Sequence, residues 1–90
     1  MDVIRRHYVF YGDVQGVGFR YHSKHAASMY GVTGWVHNCY DGTVEMEAQA
    51  DRRAIDMMID TIANDRFINI VDMDVKNIPV VEDERRFKVV

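Results

Sequence analysis

Among the ninety residues there is one cysteine and one proline. The single thiol, Cys39, cannot close an internal disulfide, so packing alone must hold the chain together, as fits a reducing compartment. Pro79, near the C-terminus, separates no domains, and no linker, low-complexity tract or internal repeat is present; a single domain over residues 1–90 is expected. Long apolar runs are missing as well. No segment approaches the length that spans a bilayer, and Met1-Asp2-Val3-Ile4-Arg5-Arg6 contains no apolar signal segment, so the expectation is a cytoplasmic protein without membrane attachment. Positive charge is not in surplus: 11 Lys and Arg against 14 Asp and Glu leave a net charge of -3. Affinity for a nucleic-acid backbone normally needs that surplus, so no nucleic-acid partner is expected and any anion site must be local.

What is present is an ordinary globular composition, 48% hydrophobic and 28% charged, too apolar for a disordered chain. From about Arg6 to Gly12, Tyr8 and Phe10 fall on one face and Val9 and Tyr11 on the other, a strand pattern. Phe19, Ser23, Ala26 and Tyr30, with Ala27 beside them, recur at helical spacing and predict a helix stopped by Gly31. Gly34 to Tyr40 and Thr43 to Ala48 flank Asp41-Gly42, a pair that predicts a tight primed hairpin turn, and Trp35 is expected in the core. Asp51 stands at the N-cap of a second helix, whose Ile55, Met58, Ile59 and Ile62 form one apolar face. Val71, Met73 and Val75 alternate with Asp72, Asp74 and Lys76 as a strand wet on one side would. After Pro79 and Glu82-Asp83-Glu84, read as a solvated loop, Phe87 and Val89 predict a short closing strand. The order makes an α+β chain of βαββαβ type: a ferredoxin-like α/β plait, with two helices on one face of a mainly antiparallel sheet.

The stretch that carries chemistry is Gly12-Asp13-Val14-Gln15-Gly16-Val17-Gly18-Phe19-Arg20, between the first strand and the first helix. Gly16 and Gly18 permit backbone angles that let consecutive N–H groups point into one concavity, and the helix start adds its own unpaired donors and positive dipole end. An anion suits such a place, and the planar fork of Arg20 at the loop's exit can grip two of its oxygens at once. The pattern is neither the Gly-x-Gly-x-x-Gly of a dinucleotide site nor the Gly-Lys-Ser/Thr ending of a nucleotide loop. Taken as bare geometry, the loop also reads as a tight strand-to-helix connection.

Position for position, however, Val14-Gln15-Gly16-Val17-Gly18-Phe19-Arg20 resembles the signature loop of the acylphosphatase family. Gly34-Trp35-Val36-x-Asn38, followed by Asp41-Gly42-Thr43-Val44-Glu45, resembles that family's second motif block. The resemblance implies the plait already read from the pattern, and an enzyme that hydrolyses acyl phosphates with no metal and no organic cofactor. It implies a phosphate-binding loop of Gln15, Gly16, Val17, Gly18, Phe19 and Arg20, with Arg20 and Asn38 as the catalytic residues: Arg20 neutralises the phosphoryl group and Asn38 positions the attacking water. The implied partners are a small-molecule acyl phosphate and inorganic phosphate or a similar anion.

Other readings stand beside this one. Asn38 can also serve the backbone near the hairpin turn, and Thr43 can be a cross-strand β former rather than a contributor to the site. His22 and His25 lie one helical turn apart, but no further ligand completes a metal pattern with Cys39 or His37. Arg5, Arg6 and Lys24 add positive potential near the loop or are simply solvated. A non-catalytic module of the same type, binding an anion or a protein, is the alternative function; a plait binding single-stranded RNA lacks the basic surplus and the aromatic motif it would need. Carbamoyl-transferring maturation enzymes carry a similar domain within much longer chains. His37, Ala50 and His22 depart from the family pattern, where a basic residue, Gly and an apolar aromatic respectively are common.

Overall fold

Alternation along the first strand sets the sheet. The computed structural model describes residues 2–90, with strand β1 at Val3–Asp13, helix α1 at Phe19–Tyr30, β2 at Thr33–Asn38, β3 at Val44–Asp51, α2 at Arg52–Ala63, β4 at Asn69–Ile78 and β5 at Phe87–Val89. On β1, Tyr8 and Phe10 turn into the core, their rings stacked at 5.3 Å, and Phe10 meets Phe19 of α1 at 5.0 Å. Each aromatic is flanked by apolar neighbours on the adjoining strands: Phe10 pairs with Val44 of β3 and Met73 of β4, and Tyr8 with Met46 and Val75. Burying such rings dominates the stabilisation of a small core, at roughly 1.5–3 kcal/mol for a large side chain.

The helices follow their predicted stripes. Phe19, Ser23, Ala26 and Ala27 are buried on α1, and the Ser23 hydroxyl is satisfied by donating to the Phe19 carbonyl at 2.7 Å. Asp51 caps α2 by accepting from the Ala54 amide at 3.0 Å, and Ile55, Met58, Ile59 and Ile62 face the sheet. The five strands lie in the order β4-β1-β3-β2-β5. All neighbours are antiparallel except β2 and β5, which run parallel. Each helix therefore crosses over one intervening strand, and both pack on the same face: the ferredoxin-like plait. As a consequence β1 and β2, separated by β3, run in the same direction and deliver their C-terminal ends to one end of the sheet.

Three local expectations need correction. The hairpin between β2 and β3 is not a two-residue primed turn: residues 39–43 form a wider loop, closed by the Cys39 amide on the Thr43 carbonyl at 2.9 Å and the Gly42 amide on the Cys39 carbonyl at 3.2 Å. Gly42 alone takes the positive φ, 93°, while the Asp41 carboxylate stays free to accept hydrogen bonds. Trp35 is half-buried on the face away from the helices, edge-on to His7 at 6.4 Å, because alternation along β2 gives the core positions to Gly34 and Val36.

The third correction concerns Glu84, which is not solvated with its neighbours. Connecting β4 to β5 requires the chain to cross from one edge of the sheet to the other, and residues 79–86 do so as a strap. Arg5, 3% exposed, holds it: its guanidinium donates to both Glu84 oxygens (2.7 and 3.2 Å), to Glu47 (2.8 Å) and to Gln49 (3.0 Å). Burial acts to lower the Arg5 pKa, but the bonds to Glu84 and Glu47 outweigh it and the net shift is upward. Gln49 clips the strap a second time, donating to the Val81 carbonyl and accepting from its amide, both at 2.8 Å.

Candidate active site

The turn after β1 and the end of β2 meet at one end of the sheet and enclose a cavity of about 210 Å³. Its walls are Val14, Gly16, Gly18, Phe19, Arg20 and Tyr21 from the loop and the start of α1, and Asn38 from β2. Arg20 and Asn38, far apart in the chain, thus open into the same small space.

The loop has the backbone that the sequence predicts. Gly16 and Gly18 sit at φ 74° and 82°, a region that side chains make costly, and Gly18 is the N-cap residue of α1. No side chain caps this helix. Among the described residues, none of the backbone amides from Gln15 to Arg20 donates to a protein acceptor; the first such bond beyond them is the His22 amide on the Gly18 carbonyl, at 2.9 Å. A helix start without a cap, joined to a bend of free amides, is an anion-binding arrangement.

Two groups in this space are singular. Arg20 is exposed, and the structure gives its guanidinium no carboxylate partner among the described residues. The Asn38 side-chain oxygen is buried and has no hydrogen-bond partner. A buried acceptor left unpaired costs about 1–3 kcal/mol, which sets Asn38 apart from the other residues of the cavity wall.

Gln15 belongs to the site in a way its place in the loop did not reveal. Its carboxamide turns away from the cavity and donates to the carbonyls of Cys39 (2.7 Å) and Thr43 (2.9 Å), lacing the cradle to the β2–β3 loop that follows Asn38. That loop is itself braced, since the Asp41 carboxylate accepts from the Thr43 hydroxyl at 2.6 Å and from its amide at 3.1 Å. The same two bonds hold the Asp41 pKa below its ordinary value. Thr43 is 9% exposed and acts through this turn. An Asp two residues before a Thr is a readable turn signal, but its connection to Gln15 is a tertiary fact.

The remaining candidates go elsewhere. His22 lies 2.9 Å from the Asp65 carboxylate on the turn after α2, His25 lies against Tyr21, and His37 is exposed on the outer face of β2. No cluster of three or more His, Cys, Asp or Glu side chains is positioned to hold a metal among the described residues. Arg5 and Arg6 add no field to the cradle: Arg6 pairs with Asp56 at 2.8 Å, and both arginines line a separate cleft of about 1090 Å³ between the start of β1, α2 and the end of β4. That cleft is larger, but Arg5 and Arg6 are engaged within it by Glu47, Glu84 and Asp56.

Comparison with known proteins agrees with the geometry. The family model of acylphosphatase matches residues 6–89. An acylphosphatase of Geobacillus thermodenitrificans is 44% identical over 86 residues, covering 94% of this chain and 92% of the relative. The crystal structure of acylphosphatase from Bacillus subtilis superposes with a TM-score of 0.88 at 32% identity, over 97% of this chain and 98% of that one. The phosphate- and nucleotide-bound form of full-length HypF matches with a TM-score of 0.87 at 26% identity, over 99% of this chain but 12% of the other. No helix among the described residues is long and apolar enough to cross a membrane.

Proposed function

The chain belongs to the acylphosphatase family, and from that premise we propose how its site cleaves an acyl phosphate, the mixed anhydride of a carboxylic and a phosphoric acid. The backbone amides from Gln15 to Arg20 hold the equatorial phosphoryl oxygens, and the Arg20 guanidinium neutralises their charge. Asn38 holds a water molecule by hydrogen bonding to its carboxamide and keeps that water in line with the bond to be broken. The water oxygen bonds to phosphorus, the phosphorus–acyl oxygen bond breaks, and its electron pair leaves with the carboxylate. The water's protons end on the phosphate product and solvent.

A carboxylate is a good leaving group, since its conjugate acid has a pKa of about 4, so the reaction needs no general acid. What remains is positioning and charge stabilisation, which preformed donors supply without reorganisation. Neither a metal nor an organic cofactor has a part in this scheme. Inorganic phosphate, the product, occupies the same cradle and inhibits. The setting we propose is the cytoplasm, with no nucleic-acid partner.

The observation that carries the reading is that Asn38, whose side-chain oxygen has no partner in the protein, lines the same cavity as Arg20 and the loop of free amides. A neutral carboxamide is the right group there, because a carboxylate would repel the substrate. The experiment is hydrolysis of benzoyl phosphate in excess chelator by the wild type, Arg20→Ala and Asn38→Ala. We expect wild-type turnover undiminished by the chelator and a loss on the order of 100- to 1,000-fold in each variant, with folded circular dichroism spectra. Phosphate inhibition survives in Asn38→Ala and weakens in Arg20→Ala. Turnover that requires added metal, or near-normal rates in either variant, would overturn the proposal.

A further inference from the structure

We infer that the large cleft, at the opposite end of the sheet from the cradle, is a docking surface for a second copy of this chain, with the α2 helices of the two copies antiparallel across a two-fold axis. One stripe of α2, made by Ile55, Met58, Ile59 and Ile62, is spent on the core. A second stripe, Arg53, Asp56, Met57 and Asp60, repeats at i, i+3, i+4 and i+7, is exposed along its whole length and forms a wall of the cleft. Met57 at 41% exposure, Val3 at 53% and Val80 at 44% give the cleft an apolar centre. An apolar centre rimmed by charge is the anatomy of a protein interface.

The charges select the occupant. Four aspartates and four arginines line the cleft, so it is balanced although the whole chain carries -3, and a strongly acidic or strongly basic partner would be repelled by half of it. Along α2 their order is the reverse of what an isolated helix favours: Arg52 and Arg53 stand at its positive start and Asp60 in its last turn, with no acidic residue in the first turn and no basic residue in the last. Asp56 is held by Arg6 at 2.8 Å, but neither Arg53 nor Asp60 has an ion-pair partner among the described residues. These two lie two helical turns, about 10 Å, apart with Met57 between them. An antiparallel second copy sets Arg53 of each chain against Asp60 of the partner subunit, giving two equivalent ion pairs about one axis with apolar side chains at its centre. The same docking lays the positive end of each helix beside the negative end of the other. A different protein would have to reproduce this charge order in reverse; a second copy does so by symmetry.

The test is sedimentation velocity of the full chain over a range of about 1–500 µM. The expected wild type is a weak dimer that dissociates on dilution through about 10–100 µM, as a small interface gives. Arg53→Asp and Asp60→Arg should each weaken the association at least about tenfold, because like charges then face each other across the axis. Mixed in equal amounts, the two variants should form a heterodimer about as tight as the wild-type dimer, since one supplies only aspartates and the other only arginines to the two pairs. Both positions are exposed, so the variants keep the fold, and formation of the heterodimer shows that they do. A wild type that stays monomeric throughout overturns the proposal, as does a single variant that associates undiminished or a mixture that stays monomeric.

Discussion

Gln15 illustrates how a single atom type decides a role. Both contacts of its carboxamide are donations from the side-chain nitrogen to carbonyl oxygens, one on Cys39 and one on Thr43. Gln15→Glu keeps the shape but replaces the donor with a carboxylate oxygen facing two carbonyls, so it loses both bonds and adds repulsion beside an anion site. We expect kcat/KM to fall on the order of 100-fold, with Gln15→Ala falling less, because deletion leaves room for water where the carboxylate brings charge. A steady-state assay in which Glu is tolerated as well as Ala would remove Gln15 from the lacing role. Asp41 adds a pH dependence whose sign is fixed. Its folded pKa lies below the ordinary 3.8 because it accepts the two Thr43 bonds, so its contribution to the turn is complete above that value and is lost as pH falls through the lower folded value. A titration of the Asp41 carboxyl carbon by nuclear magnetic resonance should give a midpoint below 3.8, and loss of the Thr43→Ala hydroxyl should move it upward.

The strands and helices were legible where one periodicity acts alone. Ile55, Met58, Ile59 and Ile62 announced α2, and Asp51 its cap, because the helix buries one stripe and its first-turn amides need an acceptor. Asp-Gly favours a primed turn only when no other contact competes; here Asp41 is engaged by Thr43 and the β2–β3 loop widens. A large aromatic suggests the core for Trp35, but the parity of β2 sends it outward. Gly34 is the other side of that parity. A Cβ built there would lie 1.9 Å from the Glu47 carbonyl oxygen of β3, and its φ is 139°. Gly34→Ala therefore has to push β2 away from β3 along the strand that ends at Asn38. The expected cost exceeds the few kcal/mol of ordinary backbone strain. Soluble, two-state unfolding of Gly34→Ala at a midpoint near the wild type's would show that β2 can shift without penalty.

The candidate site is half legible: residues contiguous in the chain, Gln15 to Arg20, read as the anion cradle proposed above, whereas the lacing by Gln15 and the bracing by Asp41 depend on β1 and β2 ending side by side, which local patterns do not encode. The least legible feature is the strap over the outer face, because Arg5 and Glu84 lie at opposite ends of the sequence and each alone reads as solvated. Yet the strap bears on the site from a distance. It leads β5 to the free edge of β2, where the Val90 amide donates to the Val36 carbonyl at 2.9 Å, two residues from Asn38. Arg5→Met fills the space but leaves Glu47 and Glu84, about one fifth exposed or less, facing each other without a cation. Removing one partner of a buried pair costs about 3–5 kcal/mol, and because these carboxylates are partly exposed we expect the lower end, about 3 kcal/mol, read from the guanidinium midpoint. Adding Glu84→Gln should recover part of that loss by removing the like-charge contact. In Arg5→Met the Val90 amide should exchange its hydrogen faster than the amides at the β1–β3 centre, and the rate on benzoyl phosphate should fall because Asn38 loses its outer support. If Arg5→Met lowers the midpoint but leaves exchange at Val90 unchanged, the strap stabilises the sheet without holding β2.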